Sequence, residues 1–299
     1  MGKKVLAIYY SQSGQLGDII HHFCTPLTDA GAEVEIVQVR LQKDFPFPWT
    51  SRSFFSVMPD CVLGKTRPLA PFTVREARYD LIVLGYQAWF LSPSIPFNSL
   101  MQDSTMMALL KDTPVITVTG ARNMWVNAFG RVKQLLYDAG ARHAGTVALV
   151  DRHPNLISIF TIFHWMLRGR KDHYLGVFPK PGVSDADIAN AEGLGSTVVP
   201  YLSADRWEGM QSVLTAKKAV ELKYHLMFME SKAAVLFRLW ARWINSRKKR
   251  QAWLVVFKYY LLLALFVFAP IVYVIDWVIF RPFLYKRVKA KKEACLQLS

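Results

Sequence analysis

The chain has 299 residues, 52% of them hydrophobic, which is enough for one large domain with an appendage. Its cysteines, Cys24, Cys61 and Cys295, lie far apart, which excludes a disulfide framework and indicates a reducing compartment. The formal net charge is +15, and residues 204–299 contribute +12 of it, with 18 Lys and Arg against 6 Asp and Glu. The N-terminal part is therefore nearly neutral, and we expect neither a metal nor a nucleic-acid partner.

The chain begins with a predicted strand, a hydroxyl-rich turn and a helix. Residues 4–8 form an apolar run typical of a buried parallel strand, and helical spacing follows from Gly17 to about Asp29. The free N–H groups of that helix and the hydroxyls of Ser11 and Ser13 would bind a phosphate. Neither Gly-x-Gly-x-x-Gly nor Gly-Lys-Ser/Thr is present, so a monophosphate is expected rather than a dinucleotide or a nucleoside triphosphate. An ordinary strand–turn–helix joint is the alternative.

Further strands are predicted at residues 33–39, 79–85, 113–119 and 145–150, giving an α/β fold with a doubly wound, five-stranded parallel sheet of order 2-1-3-4-5. Helices are predicted at 97–111, at 124–139 with Asn123 as its cap, and at 185–199 starting from Ser184. The segment 40–78 is rich in proline and aromatic residues, which predicts a lid or pocket wall.

Ligands of doubly wound sheets bind beyond the carboxyl ends of the strands, here between the first and third strands. The Ser11 turn and the loop that starts at Tyr86 are therefore predicted neighbours. Tyr86, Trp89 and Phe90 would flank a flat ring by stacking, unless they only cap the core. The loop 120–123, after the fourth strand, would face the same ligand.

The run from Lys4 to Gln15 resembles the first strand and phosphate loop of flavodoxin-like proteins, which bind FMN. Flavodoxins usually carry Thr where this chain has Leu16, so one hydroxyl contact is lost. A narrower resemblance, on residues 9–16, 86–94 and 122–125, is to the bacterial dialkylresorcinol condensing enzymes and covers nearly the whole chain. The residues expected at the FMN are Ser11, Gln12, Ser13, Gly14, Gln15, Leu16, Tyr86, Gln87, Ala88, Trp89, Phe90, Gly120, Ala121, Arg122 and Asn123.

The C-terminal third differs from the rest of the chain. Residues 156–167 predict a helix that is apolar on nearly every face except a stripe of Ser158, Thr161 and His164. Residues 222–243 predict a basic amphipathic helix of the interfacial kind, with a coiled coil as the alternative. Its apolar stripe consists of Leu222, Leu226, Met229, Ala233, Leu236, Trp240 and Trp243. Residues 252–280 predict a membrane segment.

Basic clusters lie on both sides of that segment, so its orientation stays open between a single span and a shallow dip. The predicted organisation is residues 1–203 as an FMN-binding domain with insertions at 40–78 and 151–182. Residues 204–250 follow as interfacial helices, and 251–299 hold the membrane segment and a basic tail. The start of the chain lacks the apolar run of a signal peptide, so the FMN domain should face the cytoplasm at the bacterial inner (cytoplasmic) membrane.

Condensation through an acyl-enzyme needs an activated cysteine. Cys24 and Cys295 are poorly placed for this role, and Cys61 is plausibly placed but lacks neighbours that would activate a thiolate. The resemblance implies a long-chain precursor of a dialkylresorcinol as the substrate. Because a flavin offers hydride abstraction, we expect an FMN-dependent oxidoreductase that aromatises this precursor. Arg122 would stabilise an enolate and His153 would take a proton, with a surface salt bridge and a capping histidine as the respective alternatives. The expected partners are a hydrophobic substrate, anionic membrane lipid and a ketosynthase. The alternatives are a membrane-bound NAD(P)H:quinone reductase and a non-enzymatic scaffold; the near-neutral domain disfavours a one-electron carrier.

Overall fold

A computed structural model describes residues 2–268 together with Ile271, Glu293, Cys295, Leu296 and Leu298. Five parallel strands form one sheet in the order β2-β1-β3-β4-β5, which confirms the predicted flavodoxin-like order. The strands are β1 Lys4–Tyr9, β2 Glu33–Gln38, β3 Leu81–Tyr86, β4 Pro114–Ala121 and β5 Arg142–Val150. A two-stranded ribbon, Ala88–Trp89 with Ser92–Pro93, follows β3.

The central strands form because their residues are apolar on both faces. Every residue of β3 is buried, whereas β2 at the sheet edge is only partly buried and alternates apolar with charged residues. Helices cover the sheet on both sides, as expected for a doubly wound fold. Their bounds are α1 Gln15–Asp29, α2 Ser51–Val62, α3 Ile95–Leu100, α4 Ser104–Leu110, α5 Val126–Asp138, α6 Asn155–Arg168, α7 Asp185–Ala189, α8 Ala191–Ala204, α9 Met210–Ala216, α10 Tyr224–Asn245 and α11 Arg250–Leu263.

Three predicted helices differ from those observed. The predicted helix 97–111 is two helices, because the Asp103 side chain accepts a hydrogen bond from the Met106 N–H and starts α4 anew. The predicted helix 185–199 is likewise divided into α7 and α8, although Ser184 caps the first of them as expected. The helix after Asn123 begins only at Val126, and Asn123 is not its cap.

The sheet's core extends beyond the predicted domain boundary at residue 203. Met210 and Leu214 of α9 are fully buried against the same cluster as α1 and α8. Ala148 of β5 donates its N–H to the carbonyl of Ala219 at 2.8 Å, next to Val220. The boundary is therefore too early, and the α/β unit includes residues up to about 220.

Helix α10 is amphipathic, but most of its buried side lies beside the predicted stripe, of which Leu226 is buried as expected. Phe237, Ala241 and Ile244 are buried and pack, with α11, against α2, and Ala234 is buried on the same side of the helix. The side chains expected to meet a membrane, Met229 and Leu236 among them, are shifted by about a third of a turn from this stripe. The helix is thus docked on the protein along one face.

The described residues contain one helix long and apolar enough to cross a membrane, Arg250–Phe268, which joins α11 to a π-helical turn, Ala264–Phe268. Its most apolar 18-residue window has a mean hydropathy of 1.8, and 17% of that window is buried. Most of the predicted membrane segment after Phe268, and most of the basic tail, lie outside the described residues.

Candidate functional site

The loops that follow β1, β3 and β4 enclose one cavity of about 360 Å³ at the carboxyl edge of the sheet. This is the predicted ligand edge, at the switch point between β1 and β3. Most of the residues expected at the cofactor line the cavity: Ser13, Gln15, Leu16, Gln87, Ala88, Trp89, Phe90, Gly120, Ala121 and Arg122.

The start of α1 lies at one end of the cavity, the end where the sequence predicts a phosphate. Gly14 occupies the N-cap position with φ 88°, a conformation that glycine adopts without strain, and no side chain caps the helix. The N–H groups of the first turn of α1 therefore lack a partner within the helix. By contrast, side chains cap α2, α3, α4 and α7.

Ser11, two residues before Ser13, has an unpaired hydroxyl close to that end in sequence, although it is not among the residues that line the cavity. The residue is buried, and its Oγ has no hydrogen-bond partner among the described residues. A buried hydroxyl without a partner costs free energy unless a ligand binds it. Together with the uncapped helix and the Ser13 side chain in the cavity wall, it fits a phosphate monoester.

The two glutamines of the turn hold the loop rather than point to the phosphate end. Gln12 accepts a hydrogen bond from Trp49 Nε1 at 3.0 Å, and Gln15 exchanges hydrogen bonds with the backbone of Val183. These hydrogen bonds connect the turn to segment 40–78 and to the residue that directly follows insertion 151–182. Leu16 is 2% exposed and belongs to the core under the sheet, so burial explains an apolar residue there.

The other end of the cavity is aromatic. Trp89 makes an edge contact with Trp49 at 5.7 Å between ring centroids, and Phe90 lies 4.9 Å from Phe54. Segment 40–78 therefore contributes a pocket wall. Phe90 and Leu91 both have positive φ, 48° and 62°, an uncommon conformation that is found at functional sites.

Tyr86 does not belong to this wall. It is 1% exposed and packs against Phe97 in the core on the other side of the sheet. The expectation that Tyr86 stacks on the ligand is therefore wrong for this structure, because the last side chain of β3 points away from the cavity.

Arg122 places a cation in the cavity wall. Its Nη1 donates a 2.6 Å hydrogen bond to Oδ1 of Asn155, which also accepts from Asn123 at 2.9 Å. Burial lowers the pKa of Arg122 to about 10, while the carboxylates of Asp151 and Glu230 oppose that shift. The guanidinium therefore stays charged at neutral pH, in a wall that is otherwise largely apolar.

Like Tyr86, the predicted residues Asn123 and His153 are not among the residues that line the cavity. Asn123 lines a separate small cavity next to Glu230. His153 pairs with Asp151 through Nδ1 at 2.7 Å, and it is not among the described residues around the main cavity. A role for His153 in proton transfer stays a hypothesis that this geometry does not favour.

The outer wall of the cavity comes from three C-terminal elements. Helix α6 contributes Ile159 and Phe163, and helix α10 contributes Ala233 and Leu236. Helix α11 together with the π-helical turn contributes Tyr260, Leu261, Ala264 and Leu265. The apolar pattern of α10 indicates an amphipathic face, but nothing in the sequence shows that this face covers the site.

Glu230 is the functional candidate that the sequence did not indicate. It is 1% exposed, and it accepts hydrogen bonds from the N–H groups of Val126 and Asn127 at the start of α5. Burial raises its pKa to about 7, although those hydrogen bonds and Arg122 lower it. A tail residue thus accepts hydrogen bonds from the start of α5, the role that was expected for Asn123. A glutamate in a basic amphipathic helix was the available signal.

No family model matches the chain, and no curated protein matches it. Similar solved structures include a flavoprotein from Lactobacillus acidophilus in complex with FMN, at 17% identity and a TM-score of 0.40, covering 50% of this chain and 93% of that one. A flavodoxin from the domain Archaea matches at 11% identity and a TM-score of 0.35, covering 67% and 99%. A flavone reductase matches at 13% identity and a TM-score of 0.37, covering 69% and 65%.

Proposed function

We propose that the chain is an FMN-dependent oxidoreductase acting on a long-chain hydrophobic substrate at a membrane surface. The observation that carries the FMN site is the orphaned Ser11 hydroxyl beside the uncapped start of α1. The cavity volume falls in the usual range for small-molecule sites. Ser11, Ser13 and the first N–H groups of α1 would hold the phosphate, and Trp89 and Phe90 would face the ring.

Membrane attachment is supported by the exposed apolar surface beside the cavity. Phe160 of α6 is 47% exposed and packs against Phe266 of the π-helical turn at 5.2 Å. Leu156, Leu239 and Val255 are also exposed on α6, α10 and α11. Each large apolar side chain left in water forgoes roughly 1.5–3 kcal/mol of burial, which a bilayer would restore. The site would then open where long alkyl chains partition, at the bacterial inner membrane.

The proposed reaction is the aromatising step of dialkylresorcinol formation. When bound, FMN supplies an acceptor for the hydride that a dialkylated cyclohexanedione loses, together with a proton, as it becomes a resorcinol. Arg122 would hold the negative charge of the enolate in the cavity wall. A condensation reaction is disfavoured because burial raises the pKa of both Cys24 and Cys61, which leaves neither as a thiolate. A ketosynthase would supply the precursor.

A single-turnover experiment that follows the reduction of the bound flavin tests this function. FMN-loaded full-length protein in detergent is mixed anaerobically with a 2,5-dialkylcyclohexane-1,3-dione, and flavin absorbance and resorcinol are measured. Loss of the oxidised flavin spectrum with one resorcinol per flavin supports the proposal. Bleaching by NADPH but not by the dione, with reoxidation by a short quinone, would instead establish the quinone reductase. A protein that takes up no FMN would be a scaffold.

A further inference from the structure

A second cavity, of about 250 Å³, lies on the other side of α10 from the proposed FMN site. Phe90 and Phe237 line both cavities and separate them. The second cavity has a polar floor, formed by Ser92 and Asn127. Its volume exceeds that of several water molecules, so it has room for a headgroup-sized ligand.

Three arginines surround this cavity. Arg238 and Arg242 come from α10, and Arg131 comes from α5 on the opposite side. All three are exposed, and within the described ranges none takes part in an ion pair. Asp60, the carboxylate of neighbouring α2, is already paired with Lys65 and Arg250.

An unfilled cluster of this kind is electrostatically unfavourable. Arg238 and Arg242 are one helical turn apart, and like charges at that spacing repel. A third guanidinium across the cavity adds to the repulsion. An anion with several oxygen atoms would relieve it, because guanidinium groups donate paired hydrogen bonds to phosphate.

The surroundings indicate which anion this is. Val235 and Leu239 are 55% and 57% exposed, and their spacing places them on the same face of α10 as the two arginines. Arginines interleaved with exposed aliphatic side chains suit a molecule that is anionic at one end and apolar at the other.

We infer that Arg131, Arg238 and Arg242 bind the phosphate of an anionic phospholipid headgroup, with its acyl chains along Val235 and Leu239. This inference rests on the proposed membrane attachment and deepens it, because it assigns a lipid site next to the turn that carries Phe90, on the side away from the FMN cavity. The headgroup would bind a wall of the FMN cavity from outside.

The test compares two charge-matched triple variants of the full-length protein in a neutral detergent. One variant is R131Q/R238Q/R242Q, and the control is R247Q/K248Q/K249Q, which removes three cations between α10 and α11 but outside the cavity. The ligand is dihexanoyl phosphatidylglycerol, titrated by calorimetry, with inorganic phosphate and NADPH in separate titrations. The flavin spectrum of each variant is recorded first.

We expect the cavity variant to lose at least about tenfold in affinity for the lipid, the scale of one lost charge-assisted hydrogen bond. The control should stay within about twofold of the unchanged chain on the same scale. Equal losses in both variants, or inorganic phosphate binding as tightly as the lipid, would overturn the inference. A loss of NADPH affinity instead would reassign the site to a nucleotide phosphate. If the cavity variant keeps its FMN and binds the lipid as tightly as the unsubstituted protein, the lipid site alone is refuted. If the unsubstituted protein itself shows no flavin spectrum, the proposed function is refuted.

Discussion

Glu230 of α10 accepts a 2.7 Å hydrogen bond from the backbone N–H of Asn127, the second residue of α5. The side chain of Asn127 in turn donates to the carbonyl of Leu91, in the turn that carries Phe90. Two hydrogen bonds therefore connect the tail helix to a wall of the proposed FMN cavity. Docking of α10 and the shape of the site should depend on each other.

The Glu230 contact predicts a pH-dependent stability. The pKa is about 7 in the folded chain against 4.5 for an ordinary glutamate, so the folded state binds more protons between these values. Stability therefore falls as the pH rises through this window, by about 3 kcal/mol in total. This carboxylate interacts electrostatically with two ionisable groups, the Arg122 guanidinium and the Tyr86 hydroxyl.

Glu230→Gln removes this titration while keeping an acceptor for the α5 N–H groups. The difference in melting temperature, variant minus unsubstituted protein, should increase as the pH is raised from 5 to 8, the range in which Glu230 is expected to titrate. Glu221→Gln, an exposed change just before α10, should show no such trend. A difference independent of pH would mean that Glu230 does not titrate in this range.

The phosphate end of the cavity predicts that the double change S11A/S13A weakens FMN binding. Two charge-assisted hydrogen bonds are lost, so the expected cost is about 1–3 kcal/mol in binding free energy. Fluorescence titration of the full-length protein in detergent measures it. The control S196A/S203A removes two exposed hydroxyls of α8 that bond only within the helix, and it should leave the affinity unchanged. Equal affinities for all three proteins would exclude this phosphate site.

The outer wall predicts that Ala233→Trp shortens the preferred substrate. Ala233 lines the cavity, so a larger side chain occupies space that an alkyl chain would fill. Each excluded CH₂ forfeits about 0.8 kcal/mol, roughly fourfold in kcat/KM. Val213→Trp, at an exposed position of α9 that lines neither cavity, is the control. Parallel kcat/KM profiles over chain length in both variants would show that α10 does not bound the substrate site.

The two buried cysteines predict that neither the Cys24 thiol nor the Cys61 thiol takes part in the chemistry. Cys24 and Cys61 are buried, and burial raises the pKa of Cys24 to about 12. C24A and C61A should therefore keep the turnover of the unchanged protein, apart from losses due to packing. Activity abolished in C61A with FMN still bound would instead support a covalent condensation mechanism.

The fold could be predicted because its signals are local. The buried runs of β1 and β3 and the turn at Ser11 each lie within about ten residues, and they determine strand order through the known preferences of α/β sheets. Tyr86 was misplaced because the side-chain direction at a strand end depends on the exact register, which the aromatic composition does not reveal.

The covering of the site could not be predicted from the sequence. Glu230 meets Asn127 across about a hundred residues of chain, and Ala233 and Leu265 line a cavity formed by loops far earlier. An amphipathic pattern shows that α10 has an apolar side, but not which partner covers it. Such a pattern is the same whether the apolar side faces membrane lipid or a cavity of the protein itself.

The most direct test of the central claim is the flavin content of the full-length protein purified in detergent and incubated with FMN. We predict an oxidised-flavin spectrum that survives gel filtration, at one FMN per chain, and that is weakened in S11A/S13A but not in S196A/S203A. A colourless protein whose tryptophan fluorescence does not change on addition of FMN would contradict the account.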